Sequence, residues 1–138
     1  MIILFSFFGF LDSAYLTFEH YSGVIPPCSI VSGCERVLTS AYALIGSVPV
    51  SLIGVGYYLA LLAVAIAYLE TKKPLFLKII FGLSVAGMIA YLWFVYLQVF
   101  VIQALCLYCL FSALMTLLVC ITSYVQMVVL RTYHNQLS

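Results

Sequence analysis

Charge is what this sequence has least of. Its 138 residues include five Lys and Arg and four Asp and Glu, against 67% hydrophobic residues. A soluble domain carries about 25% charged residues, and runs of about twenty apolar residues mark membrane spans. The composition therefore excludes a soluble fold and predicts an integral membrane protein. The net charge of +1 offers no basic surface for nucleic acid and no excess charge for a soluble partner. Glycine and proline are absent after Gly87, so the last third of the chain has no strong turn residue. The N-terminal apolar stretch lacks both the positive n-region and the small-x-small cleavage site of a signal peptide, and reads as a first membrane helix.

What remains divides into four spans. Residues 2–20 form the first, interrupted by Asp12 and ending in Glu19-His20. An ionisable residue within a span is a functional candidate by default; the plainer alternative is a carboxylate buried against hydroxyls of neighbouring helices. Residues 49–69 form the second, with Pro49 suited to a first helical turn, and the run Glu70-Thr71-Lys72-Lys73-Pro74 is a turn. From Leu75 to Leu130 the chain is almost wholly apolar. One helix over that run would rise about 84 Å at roughly 1.5 Å per residue, against a hydrocarbon core of ~30 Å. The chain must turn near the middle of the run, where Gln98 to Gln103 is the only polar punctuation, so helices are expected over 75–98 and 103–130. The fold class is thus all-α, a four-helix membrane bundle forming one domain over 1–138 with an outer loop at 21–48.

Within that loop, Ser32 and Glu35 read as a capping box, so a helix should start with Cys34 in its first turn. The helix dipole and free N–H groups there would favour a thiolate. Apolar positions 37, 38, 41, 44 and 45 continue with helical spacing, leaving Arg36, Thr39 and Ser40 on other faces. A one-sided helix of about three turns is too short to span and should lie flat as an amphipathic lid. Lys72, Lys73, Lys78 and Arg131 fall on one side of a four-helix arrangement and Arg36 on the other. The positive-inside rule then puts both termini in the cytoplasm and the loop on the extracytoplasmic face.

Five cysteines are the remaining signal. Cys28 and Cys34 lie in the loop, and Cys106-x-x-Cys109 opens the fourth helix. Two cysteines three apart on a helix share a face, close enough for a strained, easily reduced disulfide. Charge bias and connectivity, both independent of the cysteines, bring all four to the oxidising surface. Such a placement suits electron transfer from a protein thiol to a lipid-soluble acceptor. Two structural disulfides are the plainer alternative. Zinc is the other, but zinc ribbons repeat C-x2-C and the loop pair is C-x5-C, so no metal is expected. Cys120, about three turns deeper, reads as packing.

The run from Cys28 through Cys34-Glu35-Arg36-Val37-Leu38-Thr39-Ser40, followed by Ser47 to Gly54, resembles the vitamin K epoxide reductase family. That family has a loop cysteine pair at this spacing, a serine six residues past the second loop cysteine, and a CxxC in the last of four helices. Tyr15-Leu16-Thr17 with His20 resembles the end of its first helix. In DsbB-type quinone reductases the CxxC comes first, so the order here argues against them. The resemblance implies that electrons enter at Cys28–Cys34 from an extracytoplasmic thioredoxin-like protein, pass to Cys106–Cys109, and leave to a membrane quinone (menaquinone, ubiquinone or vitamin K-like) beside Cys109. No soluble domain fits in the remaining residues, so that donor is expected on a separate chain, as for a prokaryotic-type member without a fused thioredoxin domain. Matching positions imply a quinone site of Ser40, Val37, Leu38 and Tyr42 on the lid, Tyr57 on the second helix and Phe94 on the third.

Vertebrate members carry an asparagine near the start of helix 2 and a tyrosine four residues after the CxxC. Here these positions are Val50 and Ala113. Epoxide reduction needs polar donors on the substrate oxygen, so quinone-dependent thiol oxidation supporting disulfide formation is the expected function, with vitamin K epoxide reduction proper as the alternative. A reading from another class is a small heavy-metal carrier using cysteine pairs. Such a carrier would want a pair within an early helix, and the first helix has none.

Overall fold

The computed structural model describes residues 1–27 and 33–138; Cys28 and Ser32, the latter half of the expected capping box, lie outside the described residues. Four helices are long and apolar enough to cross a membrane. Helix α1 (Ile2–Ser22) leads into the loop. Short α2 (Cys34–Leu38), a 3-10 turn (Ala41–Ala43) and a two-residue hairpin of β1 (Leu44–Ile45) and β2 (Val48–Pro49) follow. Then come α3 (Val50–Thr71), α4 (Pro74–Tyr96) with a π-helical extension over Leu97–Ile102, and α5 (Leu107–Leu137). Helix α1 packs on α3 and α5, and α4 packs on α5 and α3, so the four spans close into the expected bundle.

The bundle is apolar outside and partly polar inside, as lipid requires. Large side chains such as Phe18, Ile89, Leu92 and Phe100 are more than 60% exposed, facing where acyl chains would lie. Ser6, Ser13, Thr17, Ser84, Ser112, Thr116 and Ser123 are buried. Small hydroxyl residues let helix backbones approach in a membrane, where hydrophobicity cannot drive association. One core cluster gathers Ile2, Leu61, Ala65, Leu77 and Ile80, from the starts of α1 and α4 and the end of α3, with Tyr58 and Val119. A second, at the opposite end of the bundle, consists of Cys34, Val37 and Cys106.

The lid is not the three-turn helix that the spacing predicts. Helix α2 has five residues and ends at Thr39. The Thr39 hydroxyl donates to the Glu35 carbonyl (2.7 Å) and the Ser40 hydroxyl to the Val37 carbonyl (2.7 Å). Ser40 itself is extended, with φ −69° and ψ 155°. Short hydroxyl side chains offer the backbone such local partners in competition with a continuing helix. The apolar positions 41, 44 and 45 fall instead on the 3-10 turn and the hairpin, which pairs Leu44 with Pro49 and Ile45 with Val48. Gly46, at φ +67°, makes the reversal between the strands.

The second departure is at the α4–α5 connection. Gln98 does not punctuate the chain at the surface; it is 2% exposed, inside the π-helical extension. Its carbonyl accepts the Ala104 N–H (3.0 Å) and its side-chain Oε1 accepts the Cys106 N–H (3.0 Å). Gln103, at φ +54°, turns the chain, and α5 starts at Leu107, four residues later than position 103. A single buried amide thus satisfies the reversal, and a glutamine read as a turn residue becomes its interior clamp.

Candidate active site

Two close approaches bring the cysteines into one region. Gly33, which precedes α2, lies directly on the backbone of Leu105, where a Cβ would overlap the Leu105 carbonyl oxygen and nitrogen. Only glycine permits this contact between two backbones. It seats Cys34, the first residue of α2, beside Cys106, and both are buried, at 1% and 0% exposure. Cys34 is disulfide-bonded, whereas Cys106 and Cys109 are thiols. Because α2 is so short, its dipole adds little at Cys34, contrary to the expectation from a longer helix. Tyr108 secures the same junction, its ring 5.7 Å from that of Tyr15 on α1 and its hydroxyl donating to the Pro27 carbonyl (3.5 Å).

Cys106 is the N-cap residue of α5 and Cys109 lies in its first turn. The Cys106 thiol is held well below its ordinary range, at about 7. Hydrogen bonding from the Cys109 thiol is the main cause, opposed by burial and aided by the N–H groups of Cys109 and Tyr108. A helix N-terminus stabilises an anion in this way, and the thiolate is the form that attacks disulfides.

Cys109 opens onto a cavity of about 410 Å³ between the four helices and the lid. Leu16 of α1, Val50 and Gly54 of α3, and Phe94 and Leu97 of α4 form mostly apolar walls, and Val37, Leu38, Ser40 and Tyr42 line it from the lid. A cavity of this size, apolar with a few polar groups, is the usual form of a small-molecule site. Of the six residues expected around a quinone, the structure brings five to this cavity. Tyr57 is not among them. It points between α3 and α4, donating its hydroxyl to the Leu83 carbonyl (3.1 Å) and packing its ring edge-on to Tyr58 (5.1 Å). Ser40 is present, but its hydroxyl hydrogen is committed to Val37 within the lid. Val50 lines the cavity, Ala113 does not, and the half-buried Cys120 thiol lies away from it.

Two contributors escaped the sequence reading, and a third was a candidate there without an assigned place. Gln98 fixes the backbone of Cys106. Ser112 is a buried hub whose Oγ accepts from the Tyr91 hydroxyl (2.8 Å) and whose carbonyl accepts from the Tyr58 hydroxyl (2.7 Å). Asp12, flagged only as an acid in a span, lines the same cavity as Cys109. A hydroxyl exactly one turn beyond the CxxC, on the same face as Cys109, is a weak signal that could have pointed to the hub.

The family model for the vitamin K epoxide reductase family matches residues 1–124. The chain belongs to the vitamin K epoxide reductase family. Among curated relatives, the thiol-disulfide oxidoreductase LTO1 of Arabidopsis thaliana is 34% identical over 114 residues, an alignment covering 77% of this chain and 30% of LTO1. The chain therefore spans about a third of the length of that relative. As a member of this family it is an integral membrane protein with the family's four-helix architecture. No group of three or more His, Cys, Asp or Glu arranged to hold a metal ion is found among the described residues.

Proposed function

We propose that this member of the vitamin K epoxide reductase family is a quinone-dependent thiol oxidase. It takes electrons from a thioredoxin-like protein at Cys28 and Cys34, relays them through Cys106 and Cys109, and reduces a membrane quinone, so supporting disulfide formation. The observation that carries this reading is the continuity of the site. Cys34 and Cys106 share one buried cluster, and Cys109, one turn on, faces an apolar cavity between the spans. The donor's thiols reduce the loop disulfide. A Cys34 thiolate then attacks a Cys106–Cys109 disulfide at Cys106 and releases Cys109 as the leaving thiolate. Resolution of the mixed disulfide leaves the inner pair as dithiol. That pair re-forms its disulfide by giving two electrons to the quinone, which takes up two protons to become the quinol.

The cysteine loop belongs on the extracytoplasmic face and both termini on the cytoplasmic face, because Lys72, Lys73, Lys78 and Arg131 lie toward the opposite end of the bundle from Cys106. Simple quinone reduction is favoured over epoxide reduction because Val50 presents no donor to the cavity and Ser40 gives its hydrogen to Val37. The test is optical quinone reduction by detergent-purified protein supplied with a reduced thioredoxin-like donor. Cys106→Ala and Cys109→Ala should each abolish turnover while leaving the helical circular dichroism unchanged. Full turnover in either variant rules out the relay. Stoichiometric bound metal without quinone-linked thiol oxidation would favour the carrier reading instead.

A further inference from the structure

A quinone that takes two electrons in an apolar cavity must also take two protons, since a dianion there has no solvent to stabilise it. Of the hydroxyls lining the cavity three are committed elsewhere, and hydroxyls in general are far weaker acids than a carboxyl. Ser40 donates to the Val37 carbonyl (2.7 Å), Tyr91 to Ser112 Oγ (2.8 Å) and Thr39 to the Glu35 carbonyl (2.7 Å). Asp12 is different. It lines the cavity midway along α1, is 9% exposed, and one of its carboxyl oxygens, Oδ2, has no hydrogen-bond partner. Its side chain lies beside Ser112, whose Oγ accepts from Tyr91 (2.8 Å) and also meets the Tyr58 hydroxyl (3.1 Å). Among the described residues no lysine or arginine lines the cavity to pair with Asp12, and His20, which does line it, is exposed and two turns away on α1. Asp12 also lies within electrostatic reach of both Cys106 and Cys109. Glu19, the other acid lining the cavity among the described residues, also has an unpartnered oxygen, Oε2, but it is two turns further along α1, at the loop end, and only half-buried.

We infer that Asp12 is the carboxyl group that delivers a proton to the quinone oxygen during reduction by Cys106 and Cys109. The inference rests on the quinone-reductase reading above. In the balanced step, Cys106 and Cys109 form an S–S bond and lose two protons and two electrons. Both electrons pass to the quinone. One proton reaches it through Oδ2 of Asp12, which is reprotonated by a proton that the thiol pair has lost. The second proton reaches the other oxygen, and Asp12 ends the cycle unchanged. A carboxyl buried without a cation in a membrane span is costly to keep, and this step gives it a use.

The test is single-turnover reduction of a short-chain ubiquinone by full-length, pre-reduced protein, in water and in deuterium oxide. Asp12→Asn preserves size and polarity but carries no acidic proton. Its rate should fall about a hundredfold, the lower end of the usual contribution of a proton-transferring side chain. Quinone affinity, read by fluorescence quenching, should change less than about twofold, because the lost interaction belongs to the transition state. Asp12→Glu should recover at least about a tenth of the wild-type rate. The wild type should also be slowed in deuterium oxide. An Asn variant as fast as an active wild type overturns the inference and leaves the functional reading standing, as does an Asn variant whose loss lies wholly in affinity. If neither variant folds, infrared difference spectra of the wild type decide, and the absence of any carboxyl band change on quinone reduction overturns the inference. A wild type that reduces no quinone overturns the functional reading and this inference with it.

Discussion

Replacing Gly33 with alanine should sever the electron relay at one point. A Cβ on Gly33 would stand 2.7 Å from the backbone nitrogen of Leu105 and closer still to its carbonyl oxygen. Ordinary van der Waals contact begins near 3.4 Å, so the α2 segment must withdraw from the start of α5 by about 0.7 Å or more. Leu105 cannot give way easily, because the Cys106 N–H beside it is anchored to Gln98 and the Ala104 N–H to the Gln98 carbonyl. Cys34 adjoins Gly33 and would move with it. Misplacing reacting atoms by about 1 Å can cost on the order of a hundredfold in rate. Gly33→Ala should therefore slow steady-state quinone reduction driven by a protein donor by about tenfold to a hundredfold. The protein itself provides the control. When the variant is fully reduced, freed of excess reductant and mixed with quinone, the first two electrons come from Cys106 and Cys109 and need no step from Cys34. That first turnover should proceed at the wild-type rate, and only the second, fed by Cys28 and Cys34, should lag. Unchanged donor-driven turnover, or an equally slowed first turnover, would refute the assignment of the Gly33–Leu105 contact to the Cys34–Cys106 step.

Two further outcomes follow from the site. With the Cys106 thiol held at about 7, its reactivity toward a small alkylating agent should rise with pH through about 7 and level off well below the ordinary thiol range. Cys109→Ala removes the main stabilising hydrogen bond and should shift that rise to higher pH; an unmoved profile would show that the N–H groups of the first turn suffice. Phe94→Ala should weaken quinone affinity because Phe94 lines the cavity, whereas Tyr57→Phe should leave affinity unchanged and cost about 1 kcal/mol of stability through its lost bond to Leu83. A raised quinone KM in Tyr57→Phe would return that residue to the binding site.

Hydropathy and charge, by themselves, determined that this chain is a membrane bundle of four helices, because a span is a local property of about twenty consecutive residues. Spacing and order of the cysteines likewise pointed to the vitamin K epoxide reductase family before any contact was known. Other features depend on partners distant in sequence. Gln98 looked like a turn residue, and only the return of α5 shows its amide closing on the Cys106 backbone eight residues later. The lid spacing at 37, 38, 41, 44 and 45 fits a helix as well as it fits a turn and a hairpin. The structure takes the second, with α2 ending after five residues and Ser40 extended. Tyr57 and Tyr58 are adjacent aromatics of similar composition and opposite fate, one bonded to Leu83 and the other to Ser112, because a 100° step around α3 faces them toward different helices. Asp12 was visible as an anomaly in its span. That it shares one cavity with Cys109, with one oxygen unpartnered, was decided by the packing of α1 against α5, which no single segment encodes.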